Sequence, residues 1–332
     1  MALTSNKTPL KVLLLQLNAN NSVNKTNIRE KIVALLDSNK LNLNNTSSSK
    51  LIVLPELSYH KYIFDKKENV KADESLLTYF KFLSKRYNSY VVSGFIEEKD
   101  NKKFYNSSVC IYKDEIINIH RKKHLYYTDE VWAEEGDKFS TFKLKLDENK
   151  EIICSMGICM DINPYKFQAP FEKYEYSTFC QQNDVDLAIL PTAWTHQVSV
   201  LQGEDKNSES AIKKKSFLKE LAEQNPWLVN PNLPINYDIK EIKNNGLFEN
   251  NAFLFKPCFD TLNYWYARFK PMHESNNKYV LFCDKSGIER DVLYAGSSCC
   301  FKMDKGEVEV KGCLSTCLLY TSPSPRDTER CR

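Results

Sequence analysis

The chain has 332 residues, 42% of them apolar, and 46 basic against 43 acidic side chains leave a formal charge of +3. That is enough apolar material for one large core or two smaller ones. The near-balance of charge excludes a strong field aimed at nucleic acid or an acidic membrane. The one short basic cluster, Lys213-Lys214-Lys215, reads as a solvated helix face. Residues 1–10 are polar and lack the apolar segment of a signal peptide, and no apolar run is long enough to span a bilayer. The expectation is a soluble protein of the cytoplasm, with the nucleus as a second compartment. Eleven cysteines, an odd number without framework spacing, read as free thiols. Adjacent Cys299-Cys300 reads as strand packing, and no His pairs with Cys at ligand spacing, so neither metal nor cofactor is expected.

In chain order, residues 11–17 form a buried-strand run. Residues 27–38 carry Ile28, Ile32, Leu35 and Leu36 at helical spacing, and the Asn/Ser-rich residues 39–50 read as a surface loop. Residues 51–54 are a strand stopped by Pro55, and residues 75–87 a helix with Leu76, Tyr79, Phe80 and Leu83 on one face. Strands follow at 91–95 and 107–112, the latter joined by an Asp114-Glu115 turn to a strand at 116–120. Residues 139–146 alternate apolar and polar, residues 151–156 form a strand aimed at Cys159, residues 171–182 a helix, and residues 187–190 a strand ended by Pro191. Residues 202–245 are polar and proline-interrupted, with one helix at 211–224. An aromatic helix at 261–269 precedes strands at 279–282, 292–301 and 307–310. Helices alternating with strands, with hairpins among them, predict an α/β fold with mixed sheets and helices outside. From Cys317 the sequence loses all period and resembles translated adapter read-through, so residues 1–313 read as one domain with its end cut short. Residues 314–332 read as a non-native or disordered tail.

Three segments carry chemistry: Leu54-Pro55-Glu56, Arg121-Lys122-Lys123-His124-Leu125, and Gly157-Ile158-Cys159-Met160-Asp161. Each follows a strand, where α/β proteins build their sites. A thiol at Cys159, on a sharp turn opening a helix, meets backbone N–H groups that favour its charged form. A partly desolvated Glu56 can serve as its base, and Lys122 can hold an oxyanion. Strand alternation leaves Lys123 outside. Taken singly, a buried structural Cys, a turn Glu and a surface Lys are the commoner readings; their order and contexts give the set its force.

The order Glu, Arg-Lys-x-His-Leu, Gly-Ile-Cys-x-Asp resembles the nitrilase superfamily of carbon–nitrogen hydrolases. Gln16 at the end of the first strand and Tyr294-Ala-Gly-Ser-Ser298 fit the same pattern. Leu125-Tyr-Tyr-Thr-Asp-Glu130, the run from Gly157 to Phe167, and Tyr264 to Pro271 are similar to the protein N-terminal asparagine/glutamine amidohydrolases. The resemblance implies a four-layer α-β-β-α sandwich. It also implies hydrolysis of an N-terminal Asn or Gln side-chain amide through a Cys thioester, giving a secondary degradation signal. It makes Cys159 the nucleophile, Glu56 the base and Lys122 the oxyanion stabiliser, with Glu130 as the second acid and Glu134 and Glu135 as competitors. The backbone N–H of Met160 is a second oxyanion donor. Asp161 and Asp129 are candidates for a substrate ammonium, although Asp161 reads equally as a turn cap. Trp132 and Trp194 are either pocket wall or core. The Cys283-Asp284-Lys285 run departs from the family, which more often has Asn-Arg there. The partners implied are protein or peptide substrates, with no nucleic acid or membrane, for a monomer or homodimer. Alternatives are an amidase or nitrilase for small compounds, a catalytically silent binding protein, and a zinc module.

Overall fold

The computed structural model describes residues 2–3, 10–20, 25–37, 49–64, 66–200, 204–230 and 252–317. The expected surface loop at 39–50 lies mostly outside them, as do much of the 202–245 excursion and residues 318–332.

Two six-stranded sheets carry the fold. The first follows chain order: β1 (Ala2–Leu3), β2 (Leu10–Leu14), β3 (Lys50–Val53), β4 (Tyr90–Lys99), β5 (Lys103–Tyr112) and β6 (Glu115–Arg121). β2, β3 and β4 are parallel; the remaining pairs are antiparallel. The rest of the chain supplies β7 (Thr141–Asp147), β8 (Lys150–Met156), β9 (Leu187–Pro191), β10 (Lys278–Cys283), β11 (Ile288–Glu289), β12 (Val292–Leu293), β13 (Cys299–Asp304) and β14 (Glu307–Cys313). β11 and β12 form a small ribbon, and the others a second sheet ordered β14-β13-β10-β9-β8-β7 with β8, β9 and β10 parallel. Helices are α1 (Lys25–Asp37), α2 (Ser75–Tyr87), α3 (Glu175–Gln182), α4 (Glu209–Gln224) and α5 (Phe259–Arg268).

The central strands are unbroken apolar runs because both their faces are covered. Val12, Leu14, Val53 and Val92 meet Leu144, Met156, Ile189 and Leu281 between the sheets. The alternate residues Leu13, Ile52 and Val91 turn to α1 and α2, against Ile32, Leu36, Phe80 and Leu83. On the far side Ala188, Leu190, Val280 and Phe282 meet Tyr176 and Cys180 of α3 and Leu262 and Trp265 of α5. Trp265 stacks on Phe282 at 4.1 Å. The layers are therefore α-β-β-α.

The expected helix at 171–182 is split: Tyr174, at φ 46°, separates a single turn from α3. The expected strand at 292–301 is broken by Gly296 (φ 57°) and Ser297 (φ 56°), which turn the chain into β13. The hairpin after β5 turns at Lys113-Asp114, one residue earlier than expected, with Lys113 at φ 54°. A tail beginning at 314 is also too early for the packing. Leu314 N donates to Ser298 O, Thr316 N to Lys256 O, and Cys317 is buried with its N–H on Leu254 O.

Where β3 ends, Pro55 to Ser58 lies on Gly94 of β4: Gly94 N donates to Pro55 O and Ser58 N to Gly94 O. A Cβ on Gly94 would stand 2.5 Å from Leu57 N and 2.6 Å from Glu56 Cα. Gly94→Ala is expected to push this segment outward and cost about 1–3 kcal/mol in urea unfolding. A variant as stable as the parent would show that the contact is not tight.

Candidate active site

The C-terminal ends of β3, β6, β8, β9 and β10 converge at one end of the sandwich. Lys122, just after β6, is 0% exposed. Its ammonium donates to Glu56 Oε1 at 2.7 Å, to Asp129 Oδ2 at 2.5 Å and to the Tyr62 hydroxyl at 3.3 Å. Asn106 of β5 ties the carboxylates together, donating from Nδ2 to Glu56 Oε1 (2.7 Å) and Asp129 Oδ1 (3.0 Å). Its backbone carbonyl accepts from Lys122 N. Burial works against the charge on Lys122, but Asp129 and Glu56 outweigh it and hold its pKa above the ordinary lysine value. Burial also raises the pKa of Glu56, with Asp129 adding to it and Lys122 opposing. Glu56 Oε2 is buried and unpartnered.

The second acid expected at Glu130 is not there: Glu130 is exposed, and Asp129 occupies the place beside the lysine. The backbone turn explains the inversion. Glu130 N bonds Tyr126 O while Trp132 N and Ala133 N bond Asp129 O, which turns Asp129 inward and its neighbour out. Glu134 and Glu135 are exposed as well, Glu135 holding the Tyr165 hydroxyl. Asn106 went unread in the sequence; its signal is an amide at a fully buried position within an otherwise strand-like run.

Cys159 opens a four-residue 3-10 turn after β8 and sits at φ 39°, a left-handed conformation costly for a residue with a Cβ. Burial drives its thiol pKa well above the ordinary value and Glu56 adds to this, while Lys122 and the backbone N–H of Ala193 favour the charged form. The expectation of a thiolate stabilised at a helix N-terminus is therefore corrected: the turn is too short, and burial dominates. Asp161 is a buckle between segments. Its Oδ1 accepts from Lys123 N and His124 N (both 2.9 Å), and its Oδ2 from Ile158 N and His120 Nε2 (both 2.7 Å). Burial opposes its charge, but His120 and these donors hold its pKa below the ordinary value.

A cleft of about 190 Å³ opens onto Cys159, walled by Tyr62, Tyr126, Phe167, Trp194 and Tyr264, with Met160 and Asn163 beside the sulfur-bearing turn. Trp194 is thus a wall. Trp132 is core, packed on Phe64 at 5.5 Å and grouped with Leu57, Tyr62 and Tyr294. Asp129 and Asp161 are both engaged away from the cleft, so neither is placed for a substrate ammonium. A larger cleft of about 800 Å³ lies at the opposite strand ends, lined by Lys50, Lys143, Lys145, Glu148 and Glu151 without a nucleophile. Among the described residues no group of three side chains could hold a metal ion, and no helix is long and apolar enough to cross a membrane.

Asp129→Asn leaves the buried ammonium short of one counter-charge and is expected to cost about 3 kcal/mol. Glu130→Gln is expected to change stability by under about 0.5 kcal/mol. Urea unfolding of both variants compares them directly, and equal effects would contradict the inward placement of Asp129. For Asp161 the sign is set by its depressed pKa. The stabilisation is complete above the ordinary value of 3.8 and disappears as pH falls through the lower native value. Asp161→Asn should therefore be clearly less stable at neutral pH, and the gap should close in acid.

The carbon–nitrogen hydrolase family matches residues 14–164. The protein N-terminal amidase of Schizosaccharomyces pombe is 30% identical over 280 residues, which is 80% of this chain and 83% of that protein. The one of Saccharomyces cerevisiae is 27% identical over 277 residues, 72% of this chain and 59% of that protein. A solved N-terminal amidase holding an Asn-Glu-Ala peptide matches with a TM-score of 0.70 at 21% identity, over 93% of this chain and 95% of that one. That likeness confirms the sandwich seen here. On the extent of the first match, the chain belongs to the protein N-terminal amidases, hydrolases of the nitrilase superfamily that act on carbon–nitrogen bonds.

Proposed function

We propose that the chain hydrolyses the side-chain amide of N-terminal Asn and Gln, releasing ammonia and leaving Asp or Glu. The observation that carries this reading is the buried Glu56–Lys122–Asp129 cluster in electrostatic contact with Cys159, at an apolar cleft. Solved N-terminal amidases hold Asn-Glu-Ala and Gln-Val peptides. The acidic terminus that results acts as a secondary degradation signal.

Each residue has a part in this reading. The unpartnered Oε2 of Glu56 takes the thiol proton as the Cys159 sulfur attacks the amide carbon. Lys122 and the backbone N–H of Met160 hold the oxyanion. Ammonia departs with a proton returned by Glu56, leaving a thioester. Glu56 then draws a proton from water, hydroxide adds to the thioester, and the carboxylic acid leaves as the sulfur recovers its proton. Asp129 takes over the part first given to Glu130, holding the ammonium toward Glu56. With Asp129 and Asp161 occupied, recognition of a free α-ammonium falls to the aromatic walls and to the second lone pair of the Asn163 amide oxygen, which accepts from the Tyr264 hydroxyl at 2.7 Å.

The test is mass spectrometry on two peptides, one beginning with Asn and one carrying Asn only internally. A gain of about one dalton, as NH₂ becomes OH in acyl transfer, is expected on the first alone and absent with Cys159→Ser. No change on either, from folded protein, would overturn the reading and favour a small amide or nitrile as substrate.

A further inference from the structure

Asp284, the residue after β10, is fully buried and has no direct place in the chemistry above. Its Oδ1 accepts two hydrogen bonds, from Thr192 Oγ1 at 2.9 Å and from Trp194 N at 2.7 Å. Thr192 and Trp194 are the first and third residues of the turn that leaves β9. The residue between them, Ala193, lines the cleft together with Cys159, and its backbone N–H favours the charged form of that thiol. Trp194 is a cleft wall, held against Tyr264 at 5.5 Å and Trp265 at 5.8 Å. The same turn receives the catalytic carboxylate segment, since Glu56 N donates to Thr192 O.

Asp284 is itself anchored through its backbone. Its N–H donates to Ser298 Oγ at 2.8 Å, and that hydroxyl donates to Gln16 Oε1 at 2.8 Å. Gln16 follows β2 and donates from Nε2 to Ser315 O. One residue thus connects the ends of both sheets, through its backbone N–H, to a three-residue turn that its carboxyl group holds and that touches base segment and cleft wall.

We propose that Asp284 is a positioning residue for the reaction at Cys159: its carboxyl group clamps the Thr192-Ala193-Trp194 turn, aiming the Ala193 N–H at the sulfur and setting Trp194 as the wall of the cleft. The inference rests on the reading of Cys159 as nucleophile. Burial raises the pKa of Asp284 well above its ordinary value, against the donors on it. A neutral acid is what this place needs, because a full negative charge would oppose the thiolate. The charged and titratable groups facing Cys159 are Glu56, Lys122, Tyr62, Tyr126 and Asp284. Those facing Asp284 are Cys283, Cys299, Glu56 and Cys159. The Lys285 ammonium is bonded to the His60 carbonyl at 2.9 Å.

The experiment follows the alkylation rate of Cys159 against pH, by mass spectrometry of the peptide that contains it, in folded wild type, Asp284→Asn and Asp284→Ala. The amide of Asp284→Asn keeps the oxygen that accepts both bonds, so its profile and activity should stay close to wild type. Asp284→Ala frees the turn. Its alkylation midpoint should rise by about one pH unit as the N–H donor drifts from the sulfur. Its kcat/KM on the Asn-terminal peptide should fall about 100-fold, the effect of misplacing a reacting group by about 1 Å. If Asp284→Ala does not fold, Asp284→Ser, whose hydroxyl is too short to reach Trp194 N, is read the same way. An unshifted or lowered midpoint in the Ala or Ser variant overturns the proposal, as does an Asn variant damaged as badly as Ala. Alkylation needs no substrate, so a failure of the amidase reading leaves this readout intact, and the two can be told apart.

Discussion

The burial of one ammonium group constrains everything else in this site. Lys122 is closed off from bulk solvent, and an isolated charge in that position would be prohibitive. Glu56 and Asp129 provide the counter-charge, and Asn106 fills one lone pair on each of them. Such a cluster contributes little net stability, because desolvation of three groups offsets their attraction. Its effect is on protonation. Burial pushes Glu56 toward the acid form, the neighbouring Asp129 carboxylate adds to this, and Lys122 opposes it. A proton acceptor poised in this way is what a buried thiol requires.

The fold keeps the cluster in place by joining two sheets at their strand ends. The first sheet delivers Glu56, Asn106 and Lys122; the second delivers Cys159 and the Ala193 turn. Asp161 fastens the two, since its carboxylate holds the backbone of both the lysine segment and the cysteine turn. This is why the third residue of the Cys159 turn has to be acidic and buried, even though it touches neither cleft nor cluster. Gly94 serves the same end by letting the Glu56 segment lie flat on β4.

Much of this was legible in the chain. The apolar runs at 11–17, 51–54 and 187–190 carry strands because a sheet covered on both faces cannot tolerate alternation. Cys159, Lys122 and Glu56 were legible because each ends such a run. Three things were not. Asp129 and Glu130 are adjacent, and only the turn's hydrogen bonds decide which points inward. The state of the Cys159 sulfur depends on burial, which no local motif encodes. The parts of Asn106 and Asp284 depend on partners 50 and 92 residues away. Such pairings exist only once the sheets have assembled.

The neutral sulfur also has a mechanistic consequence. Creating a thiolate in this apolar environment would normally be costly, since burial opposes it. In the proposed reaction, however, transfer of its proton to Glu56 creates no net charge: a carboxylate is discharged as a thiolate appears. The negative charge moves within reach of the same ammonium, which is pre-set by Asp129 and needs no reorganisation. Attack on the amide, as proposed, then carries that charge onward to the oxyanion, where Lys122 meets it again. The site therefore handles one negative charge that migrates among three atoms around a fixed cation, and the apolar walls strengthen each of those interactions by excluding water. Seen this way, burial raises the thiol pKa and strengthens the lysine's hold on the oxyanion by the same means, so the high resting pKa of Cys159 is a consequence of the environment that favours the later steps.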